Sequence, residues 1–222
     1  GKTTAPISAK RVEKDYHINP LNEYESEGIG FSVALDVPEG ETKADLAIRA
    51  WMSDAIKNDA FSLLGYQKDF KARRNPSYDE FMKALDDYGM FWEKLCRSNY
   101  QVEDTLSIDL NCNISTRLIV DTPDYVTYQY WAYIYEGGLH GMPRSYYITY
   151  DKKRQTILNA ANSVKPSKLA QLRKEVMLSL KEWRDGLYDE DCSMEDFMQQ
   201  VFSFHTPMFD EDLDDIEITS CS

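Results

Sequence analysis

His140 is the residue of this 222-residue chain whose type and setting most invite chemistry. It sits in Gly137-Gly138-Leu139-His140-Gly141, where small neighbours would let a substrate close on an imidazole that titrates near neutral pH. A general base or a lone metal ligand is the chemistry such a residue would serve. Either role needs a second group to orient the ring or share its proton, and the other histidines, His17 and His205, lie in unrelated, aperiodic segments. The loop has a plainer account. Gly137, Gly138 and Gly141 fall where a chain needs positive φ or close approach between strands, with His140 hydrogen-bonded to the loop backbone. A strand pattern follows and no lysine is present, so the loop is not a phosphate cradle. No catalytic residue is assigned.

The other reactive types give less. Neighbouring acids such as Asp86-Asp87 and Asp214-Asp215 cannot oppose each other across a glycoside, as paired carboxylates must, and acids on helices and tails are ordinarily solvated faces. No serine occupies a G-x-S-x-G elbow. Cys96, Cys112, Cys192 and Cys221 form no C-x-x-C pair and show no zinc spacing. The expectation is therefore no metal, no cofactor and no enzymatic activity. Cys192 and Cys221 flank an acidic C-terminal stretch, and whether they are bridged in an exported protein is left open.

Aromatic side chains offer a different chemistry. In Asp124-Tyr-Val-Thr-Tyr-Gln-Tyr-Trp-Ala-Tyr-Ile-Tyr135, strand alternation puts Tyr125, Thr127, Gln129, Trp131, Tyr133 and Tyr135 on one face, and Val126, Tyr128, Tyr130, Ala132 and Ile134 on the other. One face must be core. The other could stack flat rings on sugar faces while phenol hydroxyls bond to their rims, although aromatics are also favoured in any antiparallel sheet as cross-strand pairs. Trp131, Tyr133, Tyr135 and His140, with Tyr147 on the next strand, are the ligand-binding candidates.

The elements that must position these residues can be read from periodicity. Residues 1–27 are polar and aperiodic apart from Tyr16, Ile18 and Leu21, and read as an arm. Phe31, Val33, Leu35 and Val37 alternate as the first strand, ending at Pro38. Thr42 with Asp45 opens a helix carrying Ile48, Trp51, Met52, Ala55 and Ile56 that runs to Gly65. Asn75-Pro76 marks a linker, and Ser77 with Glu80 caps a second helix whose stripe is Phe81, Leu85, Tyr88, Trp92 and Leu95. Leu106, Ile108, Leu110, Cys112 and Ile114 begin an antiparallel sheet, with a tight turn at 121–124 and a charged tip at Lys152-Lys153-Arg154. A capped helix from Ser167, carrying Leu169, Leu172, Val176, Leu180 and Trp183, and a shorter one from Ser193 precede a solvated tail. The fold expected is α+β, antiparallel sheets with long helices packed on them in two small lobes: residues 1–75 as a strand–helix module and 76–222 as the larger domain.

Composition narrows the partners. Hydrophobic residues at 42% and aromatics at 13% are too abundant for a disordered chain. The formal charge of −13 would repel nucleic acid and anionic lipid, and would speed encounter with a basic protein in a salt-sensitive way. No apolar run is long enough to span a membrane. The chain starts at Gly1, which reads equally as a cloning scar or as an end processed on export.

The segment from Tyr133 to Leu158 also carries a resemblance. Tyr133, Tyr135, Gly137, Gly138, His140, Gly141, Tyr146, Tyr147, Ile148, Tyr150 and Asp151, with Thr156, Ile157 and Leu158, resemble a bacterial envelope family of unknown function. That family also supplies the extracellular lysozyme-sensing domain of the anti-sigma factor RsiV and accessory modules of peptidoglycan deacetylases. The resemblance implies an extracytoplasmic protein, periplasmic or at the cell surface, signal-processed or lipid-anchored, of α+β fold and without proven enzymatic activity. It implies as partner a cationic protein such as lysozyme, or alternatively a cell-wall glycan. Relatives usually end in a tyrosine-containing strand pair where this chain has Asp-Glu-Asp-Leu-Asp-Asp-Ile-Glu. Either strands are missing, leaving an open sheet edge, or this chain closes its sheet differently. A hydrolase centred on His140 stays the third reading.

Overall fold

The structure is a computed structural model that describes residues 5–18, 29–61, 74–99, 110–135 and 139–202. The chain divides into two compact units, residues 1–157 and residues 158–221. The expected boundary at residue 75 falls inside the first unit.

Six strands of the first unit form one sheet in sequence order: β1 (Ala9–Ile18), β2 (Ile29–Pro38), β3 (Leu110–Asp121), β4 (Tyr125–Tyr135), β5 (Met142–Asp151) and β6 (Thr156–Ile157). All neighbours are antiparallel except β2 and β3, which run parallel because α1 (Lys43–Phe61) and α2 (Tyr78–Asn99) carry the chain between them. Both helices start as the sequence predicts. Thr42 N–H donates to Asp45 Oδ2 at 2.9 Å and Asp45 N–H to Thr42 Oγ1 at 3.2 Å; Ser77 and Glu80 repeat the exchange at 3.0 and 3.2 Å. Gly65, Leu106 and Ile108 lie outside the described residues.

The helices cover one face of the sheet. Phe31, Val33, Leu35 and Val37 from β2, Cys112 and Ile114 from β3, and Val126, Tyr128, Tyr130, Ala132 and Ile134 from β4 meet Ile48, Met52 and Ile56 of α1 and Phe81, Leu85, Tyr88 and Trp92 of α2 in a single core. Arg49 is wholly buried and ties the layer ends together, donating to the carbonyl oxygens of Pro38 and Gly40 at 2.7 Å and of Pro76 at 2.8 Å. These carbonyls end β2, lead into α1 and precede α2, so one guanidinium fixes both connections.

The expected N-terminal arm is in part a strand. Ala9–Ile18 pairs with β2 along its whole length, although among its described side chains only Val12 is buried, with Lys14 and Tyr16 half-buried. An edge strand rich in charge yields no hydrophobic period to read. Its inward row ends in polar anchors: Lys14 Nζ donates to Asp86 of α2 at 2.6 Å and the Tyr16 hydroxyl to the same oxygen at 2.8 Å. A Cβ at Gly89 would run into the Tyr16 ring, so that glycine gives β1 its seat on α2.

The second unit holds α3 (Ala160–Ser163), a 3-10 turn at Pro166–Lys168, α4 (Leu169–Tyr188) and α5 (Met194–Phe202). Ser167 does not cap α4 as expected; the N-cap is Lys168, with no side-chain hydrogen bond, because the turn beginning at Pro166 leads directly into the helix. Asp185 is the polar centre of this unit. It accepts from Lys181 and Arg184, and from the backbone and thiol of Cys192 at 3.3 and 3.2 Å. The Lys181 hydrogen bond, then those of Cys192 and Arg184, holds the carboxyl well below the usual carboxylate range. Cys192 is a free thiol; Cys221 and the acidic tail lie outside the described residues.

Candidate functional site

Most of the aromatic candidates lie on the face of the sheet opposite the helices, where the described side chains are exposed or half-buried. Alternation along β4 buries Val126, Tyr128, Tyr130, Ala132 and Ile134 and leaves Tyr125, Thr127, Gln129, Trp131, Tyr133 and Tyr135 exposed or half-buried. Trp131 is 39% exposed, and its ring lies parallel to that of Tyr133, with 6.3 Å between centroids and 9° between planes. Gly141 makes room for this pair, since a Cβ there would collide with the Tyr133 ring. What approaches the glycine is an aromatic side chain, not the backbone of a neighbouring strand.

Strand register completes the surface. Trp131 lies opposite Ser115 on β3 and Ser145 on β5; Tyr133 lies opposite Asn113 and Pro143. Across β3, Asn113 pairs with Ser32 of β2, whose hydroxyl donates to Asn113 Oδ1 at 2.6 Å. Small side chains at Ser32, Ala34 and Ser115 leave a shallow trough, with Trp131 as one wall and Glu13 and Asp15 of β1 as the other. Those walls stand three strand spacings apart, roughly 14 Å. On the other flank, Gln129 Nε2 donates to the Tyr147 hydroxyl at 3.2 Å and Thr127 bonds to Thr149 at 2.9 Å.

The remaining candidates fall around this surface. Tyr147 is 38% exposed on β5, and Tyr135 is half-buried opposite Asn111 at the end of β4. His140 is exposed, and its Nδ1 lies 3.2 Å from the Gly141 carbonyl oxygen, the backbone hydrogen bond expected of a loop residue. Gly137 and Gly138 lie outside the described residues. The trough floor was not among the candidates. Ser32, Asn113 and Ser115 are the polar members of alternating strands, and the same period that marked Phe31, Cys112 and Ile114 as core put them on the free side.

A second polar cluster lies on the core side. Asp59 of α1 is buried and accepts from the Tyr130 hydroxyl at 2.5 Å and from Arg144 of β5 at 2.6 Å. Tyr146 stacks on Tyr130 at 4.8 Å. Burial first, and then the Asp59 charge, pushes both phenols up, Tyr146 to about 12 and Tyr130 further. The Tyr130 hydroxyl is held as a donor to Asp59, and the Tyr146 hydroxyl bonds to Trp51 of the same helix, an arrangement suited to holding α1 against β4 and β5 and poorly suited to proton transfer near neutral pH.

A flat aromatic pair beside amide and hydroxyl groups can stack on one face of a ring-shaped polar ligand while hydrogen-bonding its rim. No family model matches the sequence, and no curated protein matches it. Among solved structures, the chain is similar to a DUF3298 family protein from Pseudomonas aeruginosa, with TM-score 0.50, 14% identity, and 90% of this chain and 76% of that one covered. It is also similar to a member of the DUF3298 family from Bacteroides fragilis, with TM-score 0.45, 14% identity, and 96% and 74% covered. The first likeness is one of fold. Among the described residues, no helix is long and apolar enough to cross a membrane.

Proposed function

We propose that the chain is a non-catalytic recognition protein of the bacterial cell envelope that binds a glycan, such as a peptidoglycan fragment, on the face of its sheet opposite the helices. The observation that carries this reading is the parallel, solvent-facing pair Trp131 and Tyr133 beside the polar row Ser32, Asn113 and Ser115. Stacking gives such a site affinity, and the amides and hydroxyls give it orientation. The envelope setting rests on the likeness to the RsiV sensing domain and deacetylase modules. Calorimetric titration with soluble peptidoglycan fragments should show binding that barely changes with salt, weakened at least about tenfold by Trp131→Ala or Tyr133→Ala. Binding that ignores both substitutions would remove the site.

A cationic protein such as lysozyme is the second reading, favoured by the −13 charge and by exposed Glu13 and Asp15 on the same face. It predicts lysozyme binding at low ionic strength that fades as salt screens the field. No binding at low ionic strength would dismiss it.

A further inference from the structure

The two edges of the sheet are built differently. β1 forms one edge and carries Lys10, Arg11, Glu13, Lys14 and Asp15, the charged composition that keeps an edge from pairing with another chain. Among the described residues, β5 is the other edge over most of its length, because β6 pairs only with Tyr150 and Asp151. Its stretch Ser145-Tyr146-Tyr147-Ile148-Thr149 contains no charge and no proline, its register with β4 is unbroken, and four of its five residues are strong strand formers.

The direction of its free backbone groups follows from the ladder. Lys152 N–H donates to Asp124 O at 2.8 Å, so even-numbered residues of β5 face β4 and odd-numbered ones face outward. Pro143 agrees, since a residue without an N–H belongs at an outward position of an edge strand. The N–H groups of Ser145 and Tyr147 therefore point to where a seventh strand would lie, as do their carbonyls and that of Pro143, whereas the β6 register sets Thr149 opposite Leu158. Met142 through Ser145 and Tyr147 are exposed.

We infer that the outer edge of β5, from Pro143 to Ile148, is a strand-addition site that takes an extended segment of a partner protein. Backbone pairing supplies the affinity, and alternate side chains supply the selection. On the core side the added strand runs beside Ile148, which is buried, and Tyr146, whose ring meets Trp51 of α1. Apolar side chains fit those two positions. Flanking them are Arg144, which holds Asp59 through one nitrogen while its side chain stays 58% exposed, and Lys153 at the β5–β6 turn, the basic side chains of this edge in a chain with formal charge −13. The segment is accordingly apolar at alternate positions and acidic at its ends. This site uses the edge of the sheet, so it stands or falls separately from the glycan reading of its face.

Amide hydrogen exchange on the full chain tests it. The probe is a short synthetic peptide alternating isoleucine and threonine with glutamate at both ends. Controls are a peptide of the same composition with its isoleucines adjacent and one ending in lysine. In the free protein, the amides of Ser145 and Tyr147 should exchange at least about tenfold faster than those of Tyr146 and Ile148, and the acidic peptide should slow them by a similar factor. Ser145→Pro changes an outward position, so it should leave the melting temperature within a few degrees and abolish the peptide's effect; Ser145→Lys serves if the proline variant does not fold. Outward amides already protected in the dilute chain would overturn the inference, the edge being covered by the chain's own residues. Protection that falls on dilution would assign the edge to a second copy and equally overturn it, as would equal protection by the controls.

Discussion

Asp59 shows what a single residue must do to be charged inside this core. It accepts from Tyr130 and Arg144, which come from neighbouring strands, so one carboxylate of α1 registers the helix against β4 and β5 together. Removing the hydroxyl leaves the Tyr130 ring stacked on Tyr146 while withdrawing a donor from a buried charge. Tyr130→Phe should therefore lower stability by about 1.5–3 kcal/mol in urea unfolding, and a change within error would mean the pair contributes little. None of this is visible in the sequence. Asp59 reads there as a helix acid like any other, and its partners lie 71 and 85 residues away. Trp131 and Tyr133 could be found because alternation names the face of each strand residue; their mutual stacking could not, since it depends on the space at Gly141.

Among the elements, the regular helices and the central strands were legible for a common reason. Each has a buried row at its proper period, and the helix starts carry capping pairs that act within four residues. β1 was missed because its contribution is backbone pairing and two polar anchors, neither of which leaves a period. Those anchors make a prediction. The Lys14 hydrogen bond holds the Asp86 carboxyl below its ordinary range, with that of Tyr16 adding to it. A depressed folded pKa means the contribution is fully present above the unfolded value, about 4, and disappears as pH falls through the lower folded value. Amide exchange in β1 should accelerate below about pH 4 ahead of that in β3 and β4. Equal acid sensitivity in all three strands, or none in β1, would show that Asp86 does not hold the edge.

The molecule as a whole shows its tyrosines in the response to alkali. Tyr16, Tyr128, Tyr130, Tyr146 and Tyr150 are all pushed up, in each case first by burial. A raised folded pKa gives stability that is complete below the unfolded value near 10 and declines as pH rises beyond it. The unfolding midpoint should fall above about pH 10, with phenolate absorbance from these side chains appearing together with unfolding. Smooth titration of every tyrosine in the folded protein would contradict the packing described. The same whole-molecule view gives the unequal borders of the sheet a further meaning. A guest strand laid on β5 finds a receptive host, whereas the opposite margin, studded with lysine, arginine and acid, refuses one. Among the described strands, then, a single margin is suited to a guest, and addition to it stops at one step instead of growing into a fibre.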